Sequence, residues 1–312
     1  MYRHLLVTVD GTPGGIDAIG HALELARAVG ARVTFMLPGA APDSRLSGAR
    51  LPEHGAKVEA AARAQGLSHA IAGAGHPGAG DAAPGALAAE LGCDLIGVAA
   101  LPHDADAAAC AQRQHLLATS GVPVLVCTSR RSPAEARVMA RCLDAHRAVG
   151  GLLHALMASG SDADVDASPR QAADMHDALA SLAALQRARV GTAIEAHLFA
   201  ALRVRAECVA AELDELDRQR QRDAQALDAL ARIAAGGLPS AAFDTALARY
   251  AHGAFEQMGR MEGVIFPAAR RYLGDADWAG LDEPQPLADV ATATPPRANE
   301  PNEPDDARRA SD

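Results

Sequence analysis

Residues 3–37, RHLLVTVDGTPGGIDAIGHALELARAVGARVTFML, read as a strand, a helix and a second strand. His4–Asp10 is a short apolar run ending at Asp-Gly, the profile of a buried parallel strand that feeds a turn. Thr12 as N-cap and Pro13 at the first helical position start the helix. Ile16, Ile19, Leu23 and Ala26 then recur at helical spacing, and Gly30 closes the helix as a C′ residue. Working outward, Arg32–Leu37 is the second strand, Ser68–Ala72 the third, Asp94–Ala99 the fourth and Val122–Cys127 the fifth. Between them Glu53–Gln65, Gly85–Leu91 and Ala105–Thr119 read as helices, while Pro38–Leu51 is a Gly/Pro/Ser-rich loop. Strands alternating with helices predict a parallel sheet covered on both faces.

The remainder changes character. TSRRSP (128–133) is polar and ends in proline, a domain boundary. Four helices are predicted over 134–159, 169–203, 205–235 and 239–273, with Gly191 a possible break in the second. Short connections between long amphipathic helices imply an antiparallel four-helix bundle. The organisation is therefore an α/β domain (1–128), a linker (129–133), a bundle (134–282) and an acidic tail (283–312) without periodicity, expected to be disordered.

Composition narrows the function classes. Across 312 residues, 49% are apolar, yet only 3% are aromatic, which favours closely packed, alanine-rich helices. The net charge of −10 opposes nonspecific nucleic-acid binding, whose phosphates need a basic face. No stretch reaches the length of apolar sequence that a membrane span needs, and no secretory signal is visible, so a cytoplasmic location is expected. Cys93, Cys110, Cys127, Cys142 and Cys208 are scattered, as reduced thiols are. Lys57 is the sole lysine, a skew read as base composition rather than chemistry.

Residues 1–128 resemble the universal stress protein family in YRHLLVTVDGT, in the helix, glycine and strand that follow, and in CDLIGV and SGVPVLVC. The resemblance implies a five-stranded parallel Rossmann-like sheet and a homodimer paired through the last strand, here Val122–Cys127. ATP-binding members carry G-x2-G-x9-G-S/T after the fourth strand, where backbone amides approach the phosphates closely. Ala99 and Pro102 stand for the two glycines and, counted back from Pro123, Cys110 and Ala111 for the Gly-Ser pair; the loop is also shorter, and Asp104 and Asp106 would repel a triphosphate. Asp10, where the family contacts the nucleoside, is the cofactor-binding candidate that remains.

Residues 141–282 resemble the hemerythrin-like (HHE cation-binding) family in LDAHRAVGGLLHAL, EAHLFAAL and GVIFPAARRYLGDADWAGLD. That resemblance implies a di-iron site, and most of its ligands are replaced. His146 matches the first-helix histidine and Glu195 a carboxylate. Gly191 holds a histidine position, Gln219–Arg220 stand for Glu-His, Gln257 for a histidine and Met261 for its carboxylate partner, with Glu262 beside it. Arg220 is expected to pair with Glu195 or Glu262. His252 and Glu256 form an HxxxE pair outside the expected register and read as solvated, and His146 and His154 lie two turns apart, too far to share an ion.

No nucleophile, base and orienting group converge in the sequence. The expectation is a non-catalytic bacterial stress-response protein acting by association, without cofactor or metal. The alternatives are an adenine-nucleotide-binding stress sensor and an iron-dependent oxygen, redox or nitric oxide sensor.

Overall fold

The computed structural model describes residues 2–9, 13–37, 53–72, 83–127, 132–161, 169–191 and 194–283. Asp10, Thr12, the 38–51 loop, most of the 129–133 linker and nearly all of the 283–312 tail lie outside the described residues.

Five parallel strands form one sheet in the order β3-β2-β1-β4-β5: β1 (His4–Thr8), β2 (Arg32–Met36), β3 (His69–Ala72), β4 (Leu95–Ala99) and β5 (Val124–Cys127). Helices α1 (Pro13–Val29) and α2 (Glu53–Ala64) cover one face, where Leu5, Val7, Val33 and Phe35 meet Leu23, Ala26, Val58 and Ala62. Helix α3 (Pro84–Leu91) covers the other, against Leu6, Ile96 and Val98, with Leu116 of α4 (Ala107–Thr119) alongside. Burial on both faces is why the inner strands read as continuous apolar runs rather than as alternations. Val9 lies beyond β1 and donates its N–H to Met36 O at 2.9 Å. The fifth strand begins at Val124 rather than at Val122, because Pro123 has no N–H for a ladder.

The C-terminal part is helical: α5 (Pro133–Ser161), α6 (Pro169–Gly191), α7 (Ile194–Arg205), α8 (Ala210–Ala235), α9 (Ala241–Arg260), α10 (Phe266–Tyr272) and α11 (Asp275–Asp282). The second predicted helix is thus two helices, with the break after Gly191. The third starts five residues late, after a single 3-10 turn at Glu207–Val209. The fourth widens into a π segment at Met261–Ile265 before α10. Pro267 explains that widening: it has no N–H to give the Gly263 carbonyl four residues earlier. Gln65, beyond the C-terminal end of α2, donates Nε2 to that carbonyl at 2.8 Å.

Two apolar clusters fill the helical part. Leu143, Leu198, Phe199, Leu213, Leu216, Phe266 and Trp278 belong to one, and Val149, Leu153, Leu182, Leu227, Phe243, Tyr250 and Phe255 to the other. Each such side chain, fully buried, stabilises by about 1.5–3 kcal/mol. Along α5, α8 and the π segment after α9, the two clusters are separated by a polar layer at His146, Gln219–Arg220 and Glu262.

The two parts are in close contact. Helix α2 runs against α9, and it is buried on nearly every side, at Ala56, Lys57, Val58, Ala60, Ala61 and Ala62. Its small residues allow this, since α2 packs on the sheet and on the helices at once. Gly259 and Gly263 allow the close approach from the other side. A Cβ on Gly259 would lie 2.2 Å from Lys57 O, and one on Gly263 would lie 2.2 Å from Ala61 Cβ. Ion pairs frame the contact: Arg63 with Glu256 at 3.0 Å, Arg271 with Glu24 at 2.9 Å, and Arg270 between Asp17 and Glu135. No helix of the described residues is long and apolar enough to cross a membrane.

Candidate functional site

The polar layer brings together side chains from six segments. On α7, Glu195 is 2% exposed and receives two bonds from Arg189 of α6, Nε to Oε1 at 3.1 Å and Nη2 to Oε2 at 3.2 Å. Six residues apart on an unbroken helix, these side chains would stand about 240° and 9 Å apart. The break after Gly191 is what lets them meet. Arg220 of α8 donates Nη2 to Glu195 Oε2 at 2.8 Å, and its guanidinium lies 4.1 Å over the centre of the Phe199 ring.

The layer continues through α5. His146, 1% exposed, donates Nδ1–H to Glu262 Oε1 at 2.8 Å, and its Nε2 lies 3.3 Å from Glu195 Oε1. The second contact is close but too poorly aligned to be a hydrogen bond, so Nε2 has no hydrogen-bond partner among the described residues. The imidazole stacks on Phe266, with centroids 5.8 Å apart. Glu262 then reaches into the α/β part, where Lys57 donates Nζ to its Oε1 at 3.0 Å and contacts Glu53 Oε1 at 2.9 Å. Glu53 also lies 3.4 Å from His154.

The electrostatics follow from burial against partners. Burial alone would raise the Glu262 carboxyl, yet Lys57 and His146 together bring it down to about 2. Burial would raise Glu195 as well, and Arg189, His146 and Arg220 hold it far below the usual carboxylate range. Burial would lower Lys57, but Glu262 and Glu53 more than offset that and keep its ammonium above its ordinary value. The Cys142 thiol, one turn before His146, is pushed up to about 12 by burial and so has little nucleophilic character.

This donor set does not fit a metal. The two nitrogens of the His146 ring face different carboxylates, so one ion cannot take the imidazole, Glu195 and Glu262 together. Those carboxylates already hold Arg189, Arg220 and Lys57 at hydrogen-bond distance. Among the described residues, no group of three His, Cys, Asp or Glu is arranged to hold a metal ion. Gln219 donates instead to Gly253 O at 2.9 Å, Gln257 is buried, and Met261 lies in an apolar cluster. His252 is half exposed and 3.6 Å from Glu256, on the outer side of α9.

The nucleotide region is equally altered. Ala99 is buried among Ala18 and Cys127 at the end of β4. Asp106 is the N-cap of α4 and accepts from Ala109 N at 2.7 Å, so a carboxylate occupies the helix N-terminus where a phosphate would dock. Pro102, Asp104 and Cys110 are exposed.

Sequence reasoning missed Lys57, Glu53 and Arg189. A signal existed for the first two, since the chain's sole lysine follows a glutamate by four residues on a predicted helix. Arg189 had none, because its role depends on the helix break.

An open cleft of ≈ 330 Å³ lies where α2, α8 and α9 meet, lined by Arg63, Glu215, Gln219, Arg222, Glu256 and Arg260. Its arginines are paired, Arg222 with Glu215 and Arg260 with Glu212. Nearby on α8, Asp223 faces Gly253, its Oδ2 has no hydrogen-bond partner among the described residues, and burial pushes its carboxyl up to about 6. A carboxyl raised on folding contributes most below its unfolded value near 4, and stability is lost as pH rises from there towards 6. Asp223→Asn is therefore expected to stabilise the chain at pH 8 by about 1–2 kcal/mol. Urea melts of both proteins at pH 4 and pH 8 check this; an advantage as large at pH 4 as at pH 8 would contradict it.

No family model matches the chain, and no curated protein does. Among solved structures, it is similar to a crystal structure of a universal stress protein family member from Burkholderia pseudomallei. The identity is 22%, the match covers 40% of this chain and 95% of that one, and the TM-score is 0.28.

Proposed function

We propose that this chain is a non-catalytic stress-response protein acting by association. In this reading a universal-stress-type α/β domain is joined to a hemerythrin-like four-helix bundle whose metal has given way to ion pairs. The observation that carries it is the closed layer around Glu195 and Glu262, in which fixed cations engage the carboxylates that a metal would need. The Asp106 cap on α4 supports the same reading for nucleotide. A buried layer of ion pairs of this kind holds helices in register more than it supports chemistry.

The surface for association in this reading is β5, the last strand of the sheet, with Val126 38% exposed on it. An unpaired edge accepts a further strand, and a second copy of the chain supplies one.

The full chain, purified from an iron-replete host, is expected to carry substoichiometric iron and to give no heat with Mg-ATP. By light scattering it should be a dimer, and Val126→Lys should make it a monomer. Near two iron atoms per chain would revive the iron-dependent sensor, and micromolar ATP binding lost in Asp10→Ala would revive the nucleotide sensor. A wild-type monomer would remove the β5 pairing.

A further inference from the structure

Lys57 is the chain's sole lysine, and its ammonium lies between a carboxylate of its own helix and one of the helical part. Around the layer, the carboxylates Glu53, Glu262, Glu195 and Asp217 face the cations Lys57, Arg189 and Arg220. Two of those cations belong to the helical part and serve Glu195. The third comes from α2 and serves Glu262, whose other contact is His146. Without Lys57, Glu262 would be a buried carboxylate facing an imidazole alone.

The shape of the site also selects the cation. Lys57 O and Cα are pressed against Gly259, so the side chain leaves from a backbone already touching α9. From there a flexible stem carries a compact charge to two carboxylates at about equal distance. A guanidinium is planar and wider, and needs more room between the two carboxylates than a compact ammonium does.

We infer that Lys57 is the structural cation of the helical part. It fills, in cis and from the α/β part, a site built for a primary ammonium, so the two parts are held together by charge as well as by packing. This rests on the metal-free reading above, and the two fail separately. A metal-loaded wild type sinks that reading, whereas a metal-free wild type that tolerates the loss of Lys57 sinks this inference alone.

The test is a cycle in the full chain. Lys57→Met should lower the melting temperature by about 10 °C, because it strands Glu262. Lys57→Arg should recover little. Lys57→Met combined with Glu262→Gln should regain at least half of the loss, since neither charge is then left buried alone. If Lys57→Met does not fold, recovery of folding in the double variant carries the same meaning. In Lys57→Ala, tens of millimolar ethylammonium should raise the melting temperature by several degrees more than ethanol at equal concentration. The inference is overturned if Lys57→Met melts like wild type, if the double variant is no better than the single, or if ethylammonium does no more than ethanol.

Discussion

Gly259→Ala is expected to force the α/β and helical parts out of contact and to lower the melting temperature by about 10 °C or more. The new methyl would lie 2.2 Å from Lys57 O, 2.5 Å from Lys57 Cα and 2.7 Å from its carbonyl carbon. All three are backbone atoms of α2, which is held on its far side by the sheet, so no side chain can swing aside to make room. Overpacking of this kind costs about 3 kcal/mol or more. For a chain of this size, each kcal/mol moves the midpoint by about 2–4 °C. Gly263→Ala has a different obstacle, the Ala61 methyl at 2.2 Å, with Ala61 Cα at 3.3 Å. Ala61→Gly should therefore recover much of the Gly263→Ala loss and none of the Gly259→Ala loss. Gly151→Ala, which meets no atom within 4 Å, is the control and should be neutral or slightly stabilising. Calorimetric melts of wild type and the five variants decide it. Equal tolerance of alanine at 151, 259 and 263 would mean that α2 and α9 are not in backbone contact.

Glu195→Gln should destabilise the chain by about 3–5 kcal/mol at neutral pH, the usual result of stranding buried charge. Arg189, 4% exposed, loses its carboxylate, and Arg220 is left with Asp217 at 3.7 Å. Gln can accept one bond with its amide oxygen, but its NH2 would point at a guanidinium. The sign of the pH dependence follows from the depressed carboxyl of Glu195. A carboxyl lowered on folding contributes fully above its unfolded value near 4, and the contribution is lost as pH falls below it. The stability gap between wild type and Glu195→Gln should therefore be constant from pH 8 to about pH 5 and shrink towards pH 3. Guanidinium denaturation across that range measures it. A gap that persists unchanged at pH 3 would show that Glu195 acts through its shape rather than its charge.

The sheet was legible because buried parallel strands announce themselves as short apolar runs, as His4–Asp10 and CDLIGV do. The helices were legible as amphipathic stretches, but their interruptions were not. The break after Gly191 and the widening before Pro267 are stabilised by distant groups: Arg189 on Glu195, and Gln65 on the Gly263 carbonyl. The site was half legible. His146, Glu195 and Glu262 were singled out as the remains of a ligand set and Arg220 as the cation replacing one ligand, and they do meet. Their partner Lys57 lies 205 residues from Glu262, a separation no local pattern spans. The Gly259-x3-Gly263 spacing was present in the sequence, yet it predicts a close approach without saying which helix approaches.

The burial of α2 on both sides has a consequence for the order of synthesis. Lys57 leaves the ribosome 205 residues ahead of Glu262, and α2 ahead of every helix that covers its outer surface. At the usual 5–20 residues per second, that interval is roughly 10–40 s. Once β5 has followed, the growing chain carries a completed sheet whose outer helix is still uncovered and whose one ε-amine has only Glu53 for company. The last helices to appear are the ones that shut it in.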